Sequence, residues 1–335
     1  MRKSYSFHLV AILTVLVSLP AHALTINPIY DGSISGLPAA TSLAITSAFA
    51  AASQYFQSTY SDPITINIDV YLGANGPFST NPSGGASWAN YMAGSSFATI
   101  RAALTNDAKS AADAQSIGSG TVPAVNPSPL TQYMLPSAEA KALNVPVTYA
   151  NSFMTNFPGL NFVNLGATNN IDGWVSFNSN TNTWFYNQGS PVAGKFDFTG
   201  TAEHEISEVL GRITQIAQTN FFPYALPFDL FRYTAPGVRD FTQTANNVYF
   251  SINNGTNSLN TFNAPGGGDL ADWAGATVDP YNAFLTNGVA MLPSAVDTTA
   301  LDVIGYDIVP EPSTMALLCA GFGVLGFALR RKQRA

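Results

Sequence analysis

The sequence predicts an α+β domain: a mixed, twisted sheet, a long helix near the N-terminus, a second helix that carries the chemistry, and many loops. Three observations lead to this. Residues 24–72 read as strand, helix, strand, the order of a parallel crossover unit. Residues 201–212, Thr-Ala-Glu-His-Glu-Ile-Ser-Glu-Val-Leu-Gly-Arg, place apolar side chains at helical spacing, with acids and a histidine between them. Gly, Pro, Asn, Ser and Thr are spread along the whole chain, which marks frequent turns.

The elements follow in order. Leu24 to Tyr30 reads as a strand. From Leu37 to Tyr60 the chain is alanine-rich, and Leu43, Ile45, Phe49, Ala52, Phe56 and Tyr60 are spaced for one helix face. Pro63 to Leu72 alternates apolar and polar residues with period two and is a strand. Residues 73–97, rich in Gly, Ser, Asn and Ala, read as a long loop, and Phe97 to Ala112 as helix. Proline-rich residues 118–136 read as loop, and Ser137 to Leu143 starts a short helix. Gly173 to Phe177 and Thr183 to Tyr186 flank an Asn-Ser-Thr stretch and predict a hairpin. Thr199-Gly200-Thr201 supplies a cap for the helix that follows. That helix should bury Ala202, Ile206, Val209, Leu210 and Ile213 and present His204, Glu208 and Arg212 on its other face.

The ends have their own patterns. Met1-Arg2-Lys3, an apolar run from Phe7 to Leu19, and Ala21-His22-Ala23 describe a secretory signal peptide over residues 1–23; a membrane anchor is the alternative. At the other end, Val309-Pro310-Glu311-Pro312 precedes an apolar stretch, Met315 to Leu329, and then Arg330-Arg331-Lys332-Gln333-Arg334. The stretch is at the short end for spanning a bilayer, and the basic cluster would hold it on the cytoplasmic side. Pro-Glu-Pro, apolar helix and basic cluster in that order resemble the PEP-CTERM sorting tail of exported proteins of Gram-negative bacteria; a plain C-terminal anchor is the alternative. The resemblance implies a membrane protease of that system as a partner that removes the tail. It also implies export to the periplasm, cell surface or extracellular matrix, with transient anchoring. The expected division is signal peptide 1–23, one domain 24–308, and tail 309–335.

Residues 24–308 carry 7 Lys and Arg against 19 Asp and Glu, a net charge of −12. Such a surface repels polyanions, so nucleic acid is not an expected partner. The single cysteine, Cys319, lies in the tail, so the exported domain has no disulfide of its own. His8 and His22 lie in the leader, which leaves His204 as the one imidazole of the exported domain.

On a helix His204 and Glu208, at i and i+4, project from one face with Glu205 beside them. An imidazole and a carboxylate one turn apart can share a divalent metal, and a neighbouring glutamate can take a proton from metal-bound water. This is the His-Glu-x-x-His pattern with glutamate in place of the second histidine. The competing reading is an ion-paired helix, with Glu208 and Arg212 at i, i+4. A catalytic zinc takes three protein ligands, and with no further imidazole or thiol the third should be a carboxylate. Asp229 is the next acid after Glu208 and is the expected ligand, with Asp240 as runner-up; pairing of Asp229 with Arg232 or Arg239 is the alternative. Glu203 lies on the wrong face.

Residues 64–70, 139–143, 196–212, 229–239 and 300–307 together resemble a family of exported bacterial zinc metalloproteases that carry PEP-CTERM tails. The resemblance covers most of the chain. It implies a zincin- or metzincin-like fold with zinc as cofactor and a peptide or protein as substrate. Zinc-bound water would attack the peptide carbonyl with Glu205 as general base. Glu208 departs from the family's second histidine, which changes the charge of the site. Thr214 stands where a metzincin has its third histidine, and Met291 to Asp297 is similar to the methionine turn of that group; an ordinary core methionine is the alternative. In zincins an edge strand aligns the substrate, and the 174–186 hairpin is the expected candidate, with Trp184, Phe185 and Tyr186 in the cleft or in the core. Two other functions fit less of the sequence: a non-enzymatic envelope or matrix protein that keeps the scaffold, and a two-carboxylate glycosidase, for which no acid pairs obviously with Glu205.

Overall fold

The computed structural model describes residues 24–147, 170–214, 224–275 and 277–310. The expected signal peptide, residues 1–23, and the apolar stretch of the tail lie outside the described residues. Among the described residues no helix is long and apolar enough to cross a membrane.

The architecture is mixed α+β, with several sheets and seven helices among the described residues. Strand β1 (Thr25–Tyr30) leads through the one-turn α1 (Gly32–Ser35) and the long α2 (Ala39–Thr59) into β2 (Thr65–Leu72). β1 and β2 pair in parallel, Ile26 opposite Ile66, as the crossover reading requires. Along β2, Ile66, Ile68 and Val70 are buried and alternate with more open polar residues. α2 buries Ile45, Ala48, Phe49, Ala52 and Phe56 at three- and four-residue steps. Leu43, expected on that face, is exposed.

The stretch expected to be a loop contains two strands, β3 (Gly85–Ala89) and β4 (Tyr91–Ser96). Their small residues carry little β propensity; pairing with buried partners overrides it. Helices α3 (Phe97–Asp107) and α4 (Ala111–Gly118) replace one expected helix, because Ser110 and Asp113 form a capping box that restarts the chain. β5 (Gln132–Pro136) falls at the end of the expected 118–136 loop and is followed by the buried α5 (Ser137–Ala142).

The expected hairpin is not formed. β6 (Gly173–Phe177) pairs with β2 on one side and β3 on the other, giving a sheet of order β1-β2-β6-β3. Every residue of β6 is buried, as befits a central strand covered on both faces. β7 (Trp184–Phe185) instead pairs in parallel with β8 (Phe196–Asp197). β3 runs antiparallel to the other three strands, and among the described residues β6 is its only strand neighbour.

The motif helix α6 (Phe198–Val209) packs against α2 and across β3 and β6. Phe198 anchors its start, with its ring 4.6 Å from Phe177 and 5.5 Å from Trp184. The aromatics of β7 thus belong to the core. Beyond it, β9 (Tyr224–Ala225) joins β4 and β5 in a small sheet. β10 (Arg232–Ala235), β11 (Val238–Arg239), β12 (Tyr249–Phe250) and β13 (Asn260–Thr261) form an antiparallel sheet. α7 (Ala295–Asp302) closes the domain, and Ile308 bridges back to Tyr60.

Candidate metal centre and its cleft

The cap of α6 is not the threonine pair expected from sequence. Asp197 sits at the N-cap and accepts from Thr199 N at 3.0 Å, and its other oxygen accepts from Met291 N at 3.0 Å and Gln188 Nε2 at 2.9 Å. The helix is covered on all sides, so Glu203, Glu205, Ser207 and Glu208 are all buried along with Ala202, Ile206, Val209 and Leu210. Ile213, beyond the helix end, is only partly buried.

α6 ends by a Schellman turn. Gly211 adopts φ +120°, its N–H reaches Glu208 O at 3.0 Å, and Arg212 N–H reaches Ser207 O at 3.0 Å. Glycine is required there twice over: by the left-handed backbone, and by Glu139, whose Oε2 lies 2.9 Å from where a Cβ would stand.

His204 and Glu208 meet as their spacing dictates, with Nε2 and Oε1 3.4 Å apart. The third acid beside them is Asp272, whose Oδ1 is also 3.4 Å from His204 Nε2. Among the described residues, these three bring together side-chain atoms able to hold a metal, all within 4.8 Å of one another. Asp229 is elsewhere: it accepts from Leu226 N at 2.8 Å and from the Thr214 hydroxyl, and its charge is felt by buried Glu139. The acid nearest in sequence is thus spent on fixing a 3-10 turn at Pro227–Phe231. Asp240, the runner-up, pairs with Arg232 at 3.2 Å. Asp272 was missed because it lies more than sixty residues after the motif. The faint signal was Gly266-Gly267-Gly268-Asp269-Leu270-Ala271-Asp272, acids on a glycine-rich loop.

Each of these three side chains is held by a hydrogen bond. His204 Nδ1 donates to Pro280 O at 2.8 Å, which turns Nε2 toward the carboxylates. The Ser87 hydroxyl of β3 donates to Glu208 Oε2 at 2.6 Å, while Oε1 has no hydrogen-bond partner. Arg212, fully buried, donates to Asp272 Oδ1 at 2.9 Å. Burial opposes charge on His204, but Asp272 and Glu208 outweigh it and push the imidazole up to about 10. Burial likewise opposes charge on Glu208, yet His204, Arg212 and Ser87 hold its carboxyl down at about 2.

Glu205 lies on the β3 side of this group. Its carboxyl fills the place where a side chain on Gly85 would stand. Burial pushes it well above the ordinary carboxylate range, and the charge of Glu208 adds to that. His204, Glu205 and Glu208 line a cleft of about 910 Å³. Its lining includes residues 83–89, with the whole of β3, and residues 268–272 and 282–285, with Phe284 largely exposed. Met291 is a core residue that packs on Gly200, one turn before His204.

A family model for the PEP-CTERM protein-sorting motif matches residues 309–332. The chain therefore carries that C-terminal sorting signal and is an exported bacterial protein. No curated protein and no solved structure matches it.

Proposed function

We propose that this protein is an exported, zincin-like metallopeptidase that holds one zinc ion through His204, Glu208 and Asp272 and cleaves extended peptides with Glu205 as proton acceptor. The observation that carries the reading is the convergence of those three ligand atoms beside Glu205 in a cleft walled by an edge strand. One nitrogen and two carboxylate oxygens suit a borderline cation such as zinc. In a tetrahedral site with bonds of about 2.0–2.1 Å, neighbouring ligand atoms stand about 3.3–3.4 Å apart. Both separations from His204 Nε2 are 3.4 Å. Glu208 Oε1, buried and without a hydrogen-bond partner, is the orphan atom a cation would satisfy.

When bound, zinc supplies Lewis acidity and lowers the pKa of water. The rest falls to the protein. β3 offers its outer edge to an extended peptide by main-chain pairing. Glu205, a stronger base for its burial, takes a proton from the attacking water and passes it to the leaving amine. The antiparallel edge strand beside the motif helix supports the zincin-like assignment. The sorting motif supports an exported setting for this activity, and the reading takes the periplasm, the cell surface or the extracellular matrix as that setting and a membrane protease of the sorting system as the tail's partner.

The test is metal content and hydrolysis on the purified protein. Wild type reconstituted with zinc should hold one ion per chain, and His204→Ala should hold none. Glu205→Gln should keep the metal and lose peptidase activity. A wild type that retains no zinc after reconstitution would end this reading.

A second reading rests on Arg212. Its 2.9 Å pair with Asp272 makes the group a buried ion-pair network that could be structural. The protein would then be a non-enzymatic envelope or matrix component, and the same metal analysis separates the two.

A further inference from the structure

We infer that Arg212 is a positioning residue of the metal centre: it sets Asp272 as the third ligand and offsets its charge, so that a set with two carboxylates serves where one is usual. The inference rests on the metallopeptidase reading. Arg212 belongs to the turn that ends α6. The left-handed Gly211 folds the chain back, so the Arg212 side chain runs along the helix end toward Glu208 and His204.

Every side of its guanidinium is engaged. Nε donates to Ser207 Oγ at 2.8 Å, and one terminal nitrogen donates to Ala271 O at 3.1 Å and Asp272 Oδ1 at 2.9 Å. The other terminal nitrogen lies 3.4 Å from His204 Nε2 and 3.7 Å from Glu208 Oε1. The Tyr281 ring covers Cζ at 4.4 Å. A guanidinium so held is not a swinging latch. It is a fixed clamp that ties the loop bearing Asp272 to the helix bearing His204 and Glu208.

The charges agree with this role. A site of two histidines and one glutamate, as in several zinc peptidases, carries −1 before the ion binds. With His204 neutral, as a metal ligand must be, one histidine, two carboxylates and a buried guanidinium also carry −1. Glu208 in place of a second histidine adds one negative charge, and Arg212 removes it. The planar fork matters as well as the charge, because one edge grips a backbone carbonyl and a carboxylate together.

The test uses the full chain, with cobalt(II) titration followed by visible absorption and zinc affinity measured against a chelator. Arg212→Gln should weaken zinc by at least about tenfold, the cost of losing an outer-shell partner. It should also shift the cobalt spectrum, because Asp272 is no longer held. Arg212→Lys should recover part of the affinity by restoring charge without the fork. Arg212→Gln that binds as tightly as wild type, or more tightly, overturns the inference and leaves the metallopeptidase reading standing. A wild type that binds neither cobalt nor zinc overturns both. If Arg212→Gln does not fold, Ser207→Ala decides, since it frees Nε and keeps the charge. Weaker zinc and a shifted spectrum in that variant support the clamp, and wild-type values for both refute it.

Discussion

Glu205 Cδ lies 2.7 Å from the point where a Cβ on Gly85 would stand, so the edge strand and the proposed proton acceptor share one volume. Only glycine lets β3 pass this close to the helix. Gly85→Ala should therefore displace the Glu205 carboxyl while the three metal ligands stay in place. Peptidase kcat/KM should fall about 100-fold, the scale of a 1 Å misplacement, with zinc content unchanged. Wild-type turnover in Gly85→Ala would argue against Glu205 as the acceptor.

Asp272 and Asp229 make opposite predictions. Asp272→Asn removes a ligand and should weaken zinc by more than about 100-fold, beyond the usual cost of losing an outer-shell group. Asp229→Ala should leave zinc affinity as it is. It should lower stability by about 1–3 kcal/mol, because Leu226 N and the Thr214 hydroxyl lose their acceptor in a buried turn. Chelator competition and denaturant melts on both variants check the pair. The reverse pattern would restore Asp229 as ligand.

Stability should fall as pH rises from about 5 to 8. Asp62 just past α2, and Asp107 and Asp302 at the ends of α3 and α7, are each pushed up to about 7 by burial, aided by neighbouring carboxylates that include Asp307. A raised folded-state pKa means the native form holds its protons more tightly than the unfolded chain. The stabilisation is complete below about pH 4 and is lost as pH passes 7. Tm by calorimetry should be lower at pH 8 than at pH 5, and Asp62→Asn should narrow the gap. A Tm that rises toward pH 8 would contradict the sign.

The fold should end at about residue 310. Val309 N donates to Thr59 O at 2.8 Å, Ser61 N to Asp307 O at 2.8 Å, and Asp307 N to Asp62 Oδ2 at 2.9 Å. A chain stopped after Pro310 should melt like the full chain. One stopped after Tyr306 loses all three bonds and should be less stable by about 1.5–4 kcal/mol. Equal stability of the two would move the boundary upstream.

The sequence by itself determined what local chemistry controls. Period-two alternation in residues 65–72 and helical spacing in α2 and α6 gave the crossover and the motif helix. The i, i+4 rule alone brought His204 to Glu208. The tail was legible as an ordered string of Pro-Glu-Pro, apolar run and basic cluster. What the tertiary structure decided was everything that depends on chain return. β3 is a strand because β6 pairs with it, not because Gly85-Ala86-Ser87 favours extension. The spacing of acids after Glu208 pointed to Asp229, but loop closure grows only slowly in cost with length. A residue sixty positions on can thus reach the site for only about 1 kcal/mol more than one twenty away, and Asp272 stands there paired with Arg212 at 2.9 Å.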